Sequence, residues 1–60
     1  MSVETISVGD VFDTPFETGC LAVGELDDFG SFDGLDSDGV LCRFVLPMVE
    51  QITGTREVPS

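Results

Sequence analysis

The stretch that most constrains this sixty-residue chain is 31–52, SFDGLDSDGVLCRFVLPMVEQI, and within it the Asp36-Ser37-Asp38-Gly39 turn. A short β-prone run precedes the turn and an apolar run, 40–45, follows it. Glycine adopts the positive φ that tight hairpin connections demand, and Asp tolerates the left-handed region better than most residues. The four residues suit a type I turn with a bulge as well as a two-residue loop, so the hairpin is fixed and its register is open. Along the second strand Val40, Cys42 and Phe44 share one face, and Leu41, Arg43 and Val45 share the other. Arg43 belongs in solvent, which makes the Val40/Cys42/Phe44 face the expected core and leaves Leu41 and Val45 in need of separate cover. Pro47 lacks a backbone donor and pushes Leu46 out of the helical region, so the chain must turn there. One turn of 3₁₀ helix before a last short strand over 49–53 fits.

Earlier in the chain, residues 6–12 (ISVGDVF) read as the first strand, and Asp13-Thr14-Pro15 as a corner. Residues 20–26 (CLAVGEL) read as the second strand. Strict alternation there would place Glu25 with Leu21 and Val23. A bulge at Gly24-Glu25 turns Glu25 out and brings Leu26 back to the Leu21/Val23 side, which is the preferred reading. The alternative sends the small residues Cys20, Ala22 and Gly24 inward with Leu26. Asp27-Asp28-Phe29-Gly30 is the next turn. The expected organisation is an N-terminal arm at 1–5, one β-domain at 6–53 and a flexible tail at 54–60. The fold class is all-β: a small five-stranded barrel, or a curled antiparallel sheet.

Charge is the strongest compositional signal. Twelve Asp and Glu face two Arg and no Lys, a formal charge of −10, yet 42% of the residues are hydrophobic. The chain is therefore no disordered acidic tail. Self-repulsion on that scale strains a compact fold in dilute buffer. In molar salt, with a Debye length of about 3 Å, most of it is screened. An Asp-rich, Lys-free surface looks like that of an extreme halophile, a haloarchaeon in particular; a mesophilic acidic inhibitor or nucleic-acid mimic is the bland alternative. The longest apolar block, 44–49, is interrupted by Pro47 and falls far short of the ~20 residues of a membrane helix. A cytoplasmic protein with no membrane association is expected.

The order Gly9-Asp10-Val11, Thr14-Pro15, Gly19, a bulged second strand, an Asp-Asp-x-Gly turn, an acidic hairpin, and Leu46-Pro47 followed by Val49 and Ile52 resembles small SH3-like barrels of the KOW-type and Tudor-like plan. The resemblance spans roughly 6–53 and rests on turn spacing and apolar positions. It implies a module that binds nucleic acid, proteins or peptide tails. Two departures narrow that range. A Tudor-like aromatic cage wants Trp and Tyr, both absent, and a basic KOW-type face wants more than Arg43 and Arg56.

Catalytic chemistry is not expected, because the chain has no His, Lys or Tyr and no nucleophile motif. The carboxylates Asp27, Asp28, Asp33, Asp36 and Asp38 do not follow EF-hand spacing and read as turn and surface residues, so neither a metal nor another cofactor is assigned. Cys20 and Cys42, 22 positions apart, read as reduced core residues; a cross-strand disulfide is the alternative, and zinc would lack ligands. Of the five Phe, Phe16 and Phe29 fall in turns and are candidate contact residues. Apolar residues on both faces of two strands exceed what one small core can hide. The expected function is thus a non-catalytic interaction module that forms a homodimer, with Phe16, Phe29, Leu41, Val45, Leu46 and Met48 as interface candidates. An unidentified protein partner is a second possibility. The alternative is a small regulator that binds or mimics nucleic acid, with Arg43 as the candidate nucleic-acid contact.

Overall fold

The computed structural model describes residues 3–59. Five strands form one antiparallel sheet: β1 (Asp10–Asp13), β2 (Cys20–Ala22), β3 (Ser31–Leu35), β4 (Leu41–Val45) and β5 (Gln51–Thr55), in the order β4-β3-β2-β1-β5. The β4 to β5 connection begins in a 3₁₀ turn, Leu46–Met48, with Pro47 inside it, as the missing donor of Pro47 requires. β4 and β5 are the two edges and do not pair with each other. The all-β, five-stranded expectation holds in its curled-sheet form, and the barrel is not closed.

Two hairpins are built by the same four-residue device. In Asp27-Asp28-Phe29-Gly30, the Gly30 amide donates to the Asp27 carbonyl (3.2 Å) and the Asp27 amide to the Ser31 carbonyl (2.8 Å). The Asp27 Oδ1 accepts from the amides of Phe29 (2.8 Å) and Ser31 (2.9 Å). In Asp36-Ser37-Asp38-Gly39 every one of these bonds recurs: Gly39 to Asp36 (2.9 Å), Asp36 to Val40 (3.0 Å), and Asp36 Oδ1 from Asp38 and Val40 (2.9 Å each). Gly30 and Gly39 both have φ +82°, the left-handed conformation that ends a type I turn in a bulge.

The core lies on one face of the sheet. Phe12, Phe32 and Phe44, one each from β1, β3 and β4, meet there. Phe12 makes edge-on contacts with the other two (centroids 5.4 and 5.1 Å), and Phe32 stacks on Phe44 at 5.8 Å. Ile6 from the N-terminal segment and Val49 from the β4–β5 connection close over them. That connection crosses from one edge of the sheet to the other: the Leu46 amide donates to the Gly30 carbonyl beside β3, and the Glu50 amide to the Asp13 carbonyl of β1 (both 2.8 Å).

Three rings on one face leave no room for large side chains from β2, which corrects the preferred reading of that strand. Cys20, opposite Phe12, and Ala22, opposite Gly34, point inward, and Leu21 points to the other face. Leu26 does pack against the core. The bulge exists one residue earlier than expected: the Val23 and Gly24 amides both donate to the Asp33 carbonyl (3.0 Å each). Gly34 is held to the same rule. A Cβ there would lie 2.9 Å from the Leu21 carbonyl oxygen and 3.0 Å from the Phe44 ring. Removing a strand glycine ordinarily gains about 0.5–1 kcal/mol, but overpacking against backbone costs about 1–3 kcal/mol. Gly34→Ala is therefore expected to be net destabilising, as a lower urea midpoint will show; an unchanged or higher midpoint would mean that the sheet can open there.

Other boundaries shift by local bonding. β1 starts at Asp10 rather than Ile6, because residues 7–10 form a turn in which the Asp10 amide donates to the Ser7 carbonyl (3.0 Å). Val40 closes the hairpin turn and is exposed, so it takes no part in the core expected for Val40/Cys42/Phe44. β5 continues to Thr55, and the Arg56 amide donates to the Gly9 carbonyl (2.7 Å), so residues 54–56 of the expected tail are tied to the sheet. Met1 and Ser2 of the expected arm, and Ser60 of the tail, lie outside the described residues; Val3 packs against the core.

Candidate interaction surface

The face opposite the core carries its own apolar row. Residues directly opposite one another in adjacent strands share a face, and the register runs Leu41↔Leu35, Leu35↔Leu21, Leu21↔Val11, Val11↔Gly54. Four large aliphatic side chains thus stand side by side across β4, β3, β2 and β1. Leu21, in the middle, is only 1% exposed and Leu41, at the edge, is 65% exposed. The next pair on this face is Arg43↔Asp33, followed by Val45↔Ser31. On the side of the row away from Arg43 the Ser37 hydroxyl donates to Glu17 Oε2 (2.6 Å), tying the β1–β2 loop to the β3–β4 turn.

The six interface candidates do not form one patch. Leu41 and Val45 lie two pairs apart on the outer face of the edge strand and are both exposed. Leu46 and Met48 sit in the 3₁₀ turn, half-buried, with Leu46 packed against the core. Phe29 tips the β2–β3 turn at 92% exposure, at the sheet end where Leu46 bonds Gly30. Phe16, 82% exposed, lies at the opposite end, in the loop tied to Ser37. It is thrust out by a tight turn around buried Thr14, whose Oγ1 accepts from the Phe16 and Glu17 amides (3.2 Å each). Leu35, Leu21 and Val11 escaped the sequence reading because their alignment appears only once the cross-strand register is known.

Arg43 is engaged by its own chain. Nη2 donates to Asp27 Oδ2 at 2.6 Å and Nη1 to Asp33 Oδ1 at 2.9 Å. These bonds, that to Asp33 foremost, raise the guanidinium pKa further. The carboxylates considered as cation ligands are similarly spent or dispersed. Asp27 and Asp36 serve turns at opposite ends of β3, and no group of three His, Cys, Asp or Glu side chains among the described residues is placed to hold a metal. No pocket forms among the described residues. Both cysteines are free. Burial, and then the carboxylates of Glu17, Asp36 and Asp13, push the Cys20 thiol up to about 11, so it stays protonated and unreactive at neutral pH. Cys42 is raised too, by burial and then by Asp36, whose Oδ2 accepts its S–H at 3.8 Å.

The carboxyl of Asp27 is held below the ordinary carboxylate range. The Ser31 amide contributes most, followed by the Phe29 amide and Arg43, and together they outweigh desolvation. A carboxyl with a lowered folded-state pKa contributes stability that is present above the unfolded value of ~4 and disappears as pH falls through the folded value. Asp27→Asn is therefore expected to unfold more readily than the wild type at pH ~6, with the gap between their urea midpoints closing toward pH ~2. A gap constant across that range would show that the charge of Asp27 contributes nothing.

No protein-family description, curated protein or solved structure matches the chain. No helix among the described residues is long and apolar enough to cross a membrane.

Proposed function

We propose that this protein is a non-catalytic interaction module of a halophile that associates with itself through the outer face of its sheet. The observation that carries the reading is the Leu41–Leu35–Leu21–Val11 row on the side away from the core. The row is sealed at Leu21 and half-buried at Leu35 and Val11, but it runs out to Leu41, 65% exposed, with exposed Val45 on the same face; association hides such surface while stabilising a small fold. The fold in this proposal is SH3-like. Four consecutive strands that neighbour in order, a fifth that returns to β1 and a 3₁₀ turn just ahead of it support that plan. A cytoplasmic setting, in which thiols stay reduced, suits the two free cysteines.

Nucleic-acid binding is the less favoured reading, because Arg43 would have to exchange two carboxylates for phosphate. Light scattering in roughly 2 M KCl, where repulsion between acidic copies is screened, is the test. A mass of two chains that develops between micromolar and millimolar concentration is expected, and a single-chain mass throughout would overturn the proposal.

A further inference from the structure

We infer that the open edge of β4 is where the second copy docks, the two β4 strands pairing antiparallel about a two-fold axis at Arg43. This rests on the self-association proposed above and places the contact at the β4 edge, where the outer row is exposed, rather than over the whole face; it adds the segment and the register. On its β3 side, β4 is flanked by bonds from the Asp36 amide to the Val40 carbonyl and from the Leu46 amide to the Gly30 carbonyl. Bonded and non-bonded pairs alternate along an antiparallel ladder. Cys42 and Phe44 therefore complete that ladder, while Leu41, Arg43 and Val45 turn their N–H and C=O groups to the open edge. The same three residues carry the exposed side chains of the strand.

Charge selects the occupant. Two copies of formal charge −10 repel wherever carboxylates meet. Residues 39–49 are the longest stretch of the chain without Asp or Glu, and they contain this edge. Its one ion, Arg43, is paired with Asp27 and Asp33 of its own chain, so each copy brings a single net negative charge to the axis, which molar salt screens. With Arg43 opposite the partner's Arg43, Leu41 faces the partner's Val45 and Val45 the partner's Leu41, so both exposed aliphatic groups gain an apolar neighbour and the five-residue strands overlap along their full length. Pairing β4 with the partner's β5 instead would bring in a strand flanked by Glu50 and Glu57 and leave edges free to propagate. The two-fold arrangement closes.

Amide hydrogen exchange followed residue by residue in roughly 2 M KCl, with mass measured in parallel, tests this. The Leu41, Arg43 and Val45 amides are expected to slow at least tenfold as protein concentration rises and the dimer forms. The charge-neutral double variant Leu41→Ser/Val45→Ser should weaken the dimer at least tenfold, and the exchange measurement on the wild type stands even if that variant fails to fold. A dimer in which these three amides stay unprotected, or in which β5 is protected instead, overturns the edge assignment and leaves self-association standing. Protection independent of concentration also overturns it, and a strict monomer removes both.

Discussion

Phe12→Ala is expected to leave the chain largely unfolded at 25 °C, whereas Phe16→Ala and Phe29→Ala leave its stability nearly unchanged. Phe12 is fully buried and is the one ring in edge-on contact with both other core aromatics. Truncating such a residue costs about 3–5 kcal/mol. Sixty residues carry a total stability of only ~3–9 kcal/mol at the usual per-residue value, so the loss is comparable with all that is available. Phe16 and Phe29 protrude into solvent, where substitutions usually stay within about 0.5 kcal/mol. Far-UV circular dichroism with urea titration of the three variants checks this. Equal losses at the three positions would mean that the ring cluster does not govern the fold.

The second large effect is that of salt. Two carboxylates about 10 Å apart in water repel by ~0.4 kcal/mol when unscreened, and twelve of them against two arginines accumulate a penalty of several such units. Raising KCl from ~0.01 M to ~1 M shortens the Debye length from about 30 Å to about 3 Å. Relief of even ~2 kcal/mol would raise the melting temperature by roughly 10 °C in a domain of this size. Most of the rise should come by the first few tenths molar, because screening saturates, and sucrose at matched osmolality should not reproduce it. A melting temperature flat in KCl would remove the halophilic part of the proposal.

How much of this was legible in the sequence depended on whether the determinant was local. The Asp36–Gly39 turn, the 3₁₀ turn at Pro47 and the outward placement of Leu41, Arg43 and Val45 follow from φ preferences, a missing amide and period-two alternation, which act within a few residues. The orientation of β2 did not, because Cys20, Leu21 and Ala22 are all buried and alternation alone leaves either face open. What decided it was the volume of three Phe rings from other strands. The outer apolar row was hidden for the same reason: Val11, Leu21, Leu35 and Leu41 lie up to thirty positions apart and become neighbours only through pairing. The match between the two Asp-x-x-Gly turns is readable, since both tetrads sit in plain view in the sequence.

Six of the acids are structural acceptors: Asp10, Asp13, Glu17, Asp27, Asp33 and Asp36 each receive an N–H or O–H from the chain. Glu25, Asp28, Asp38 and Glu50 are exposed and receive none of these bonds. A version of this protein re-engineered for fresh water therefore has a ready partition. Neutralising the second group to Gln and Asn lowers the charge at no architectural expense, while the first group must keep an oxygen in place.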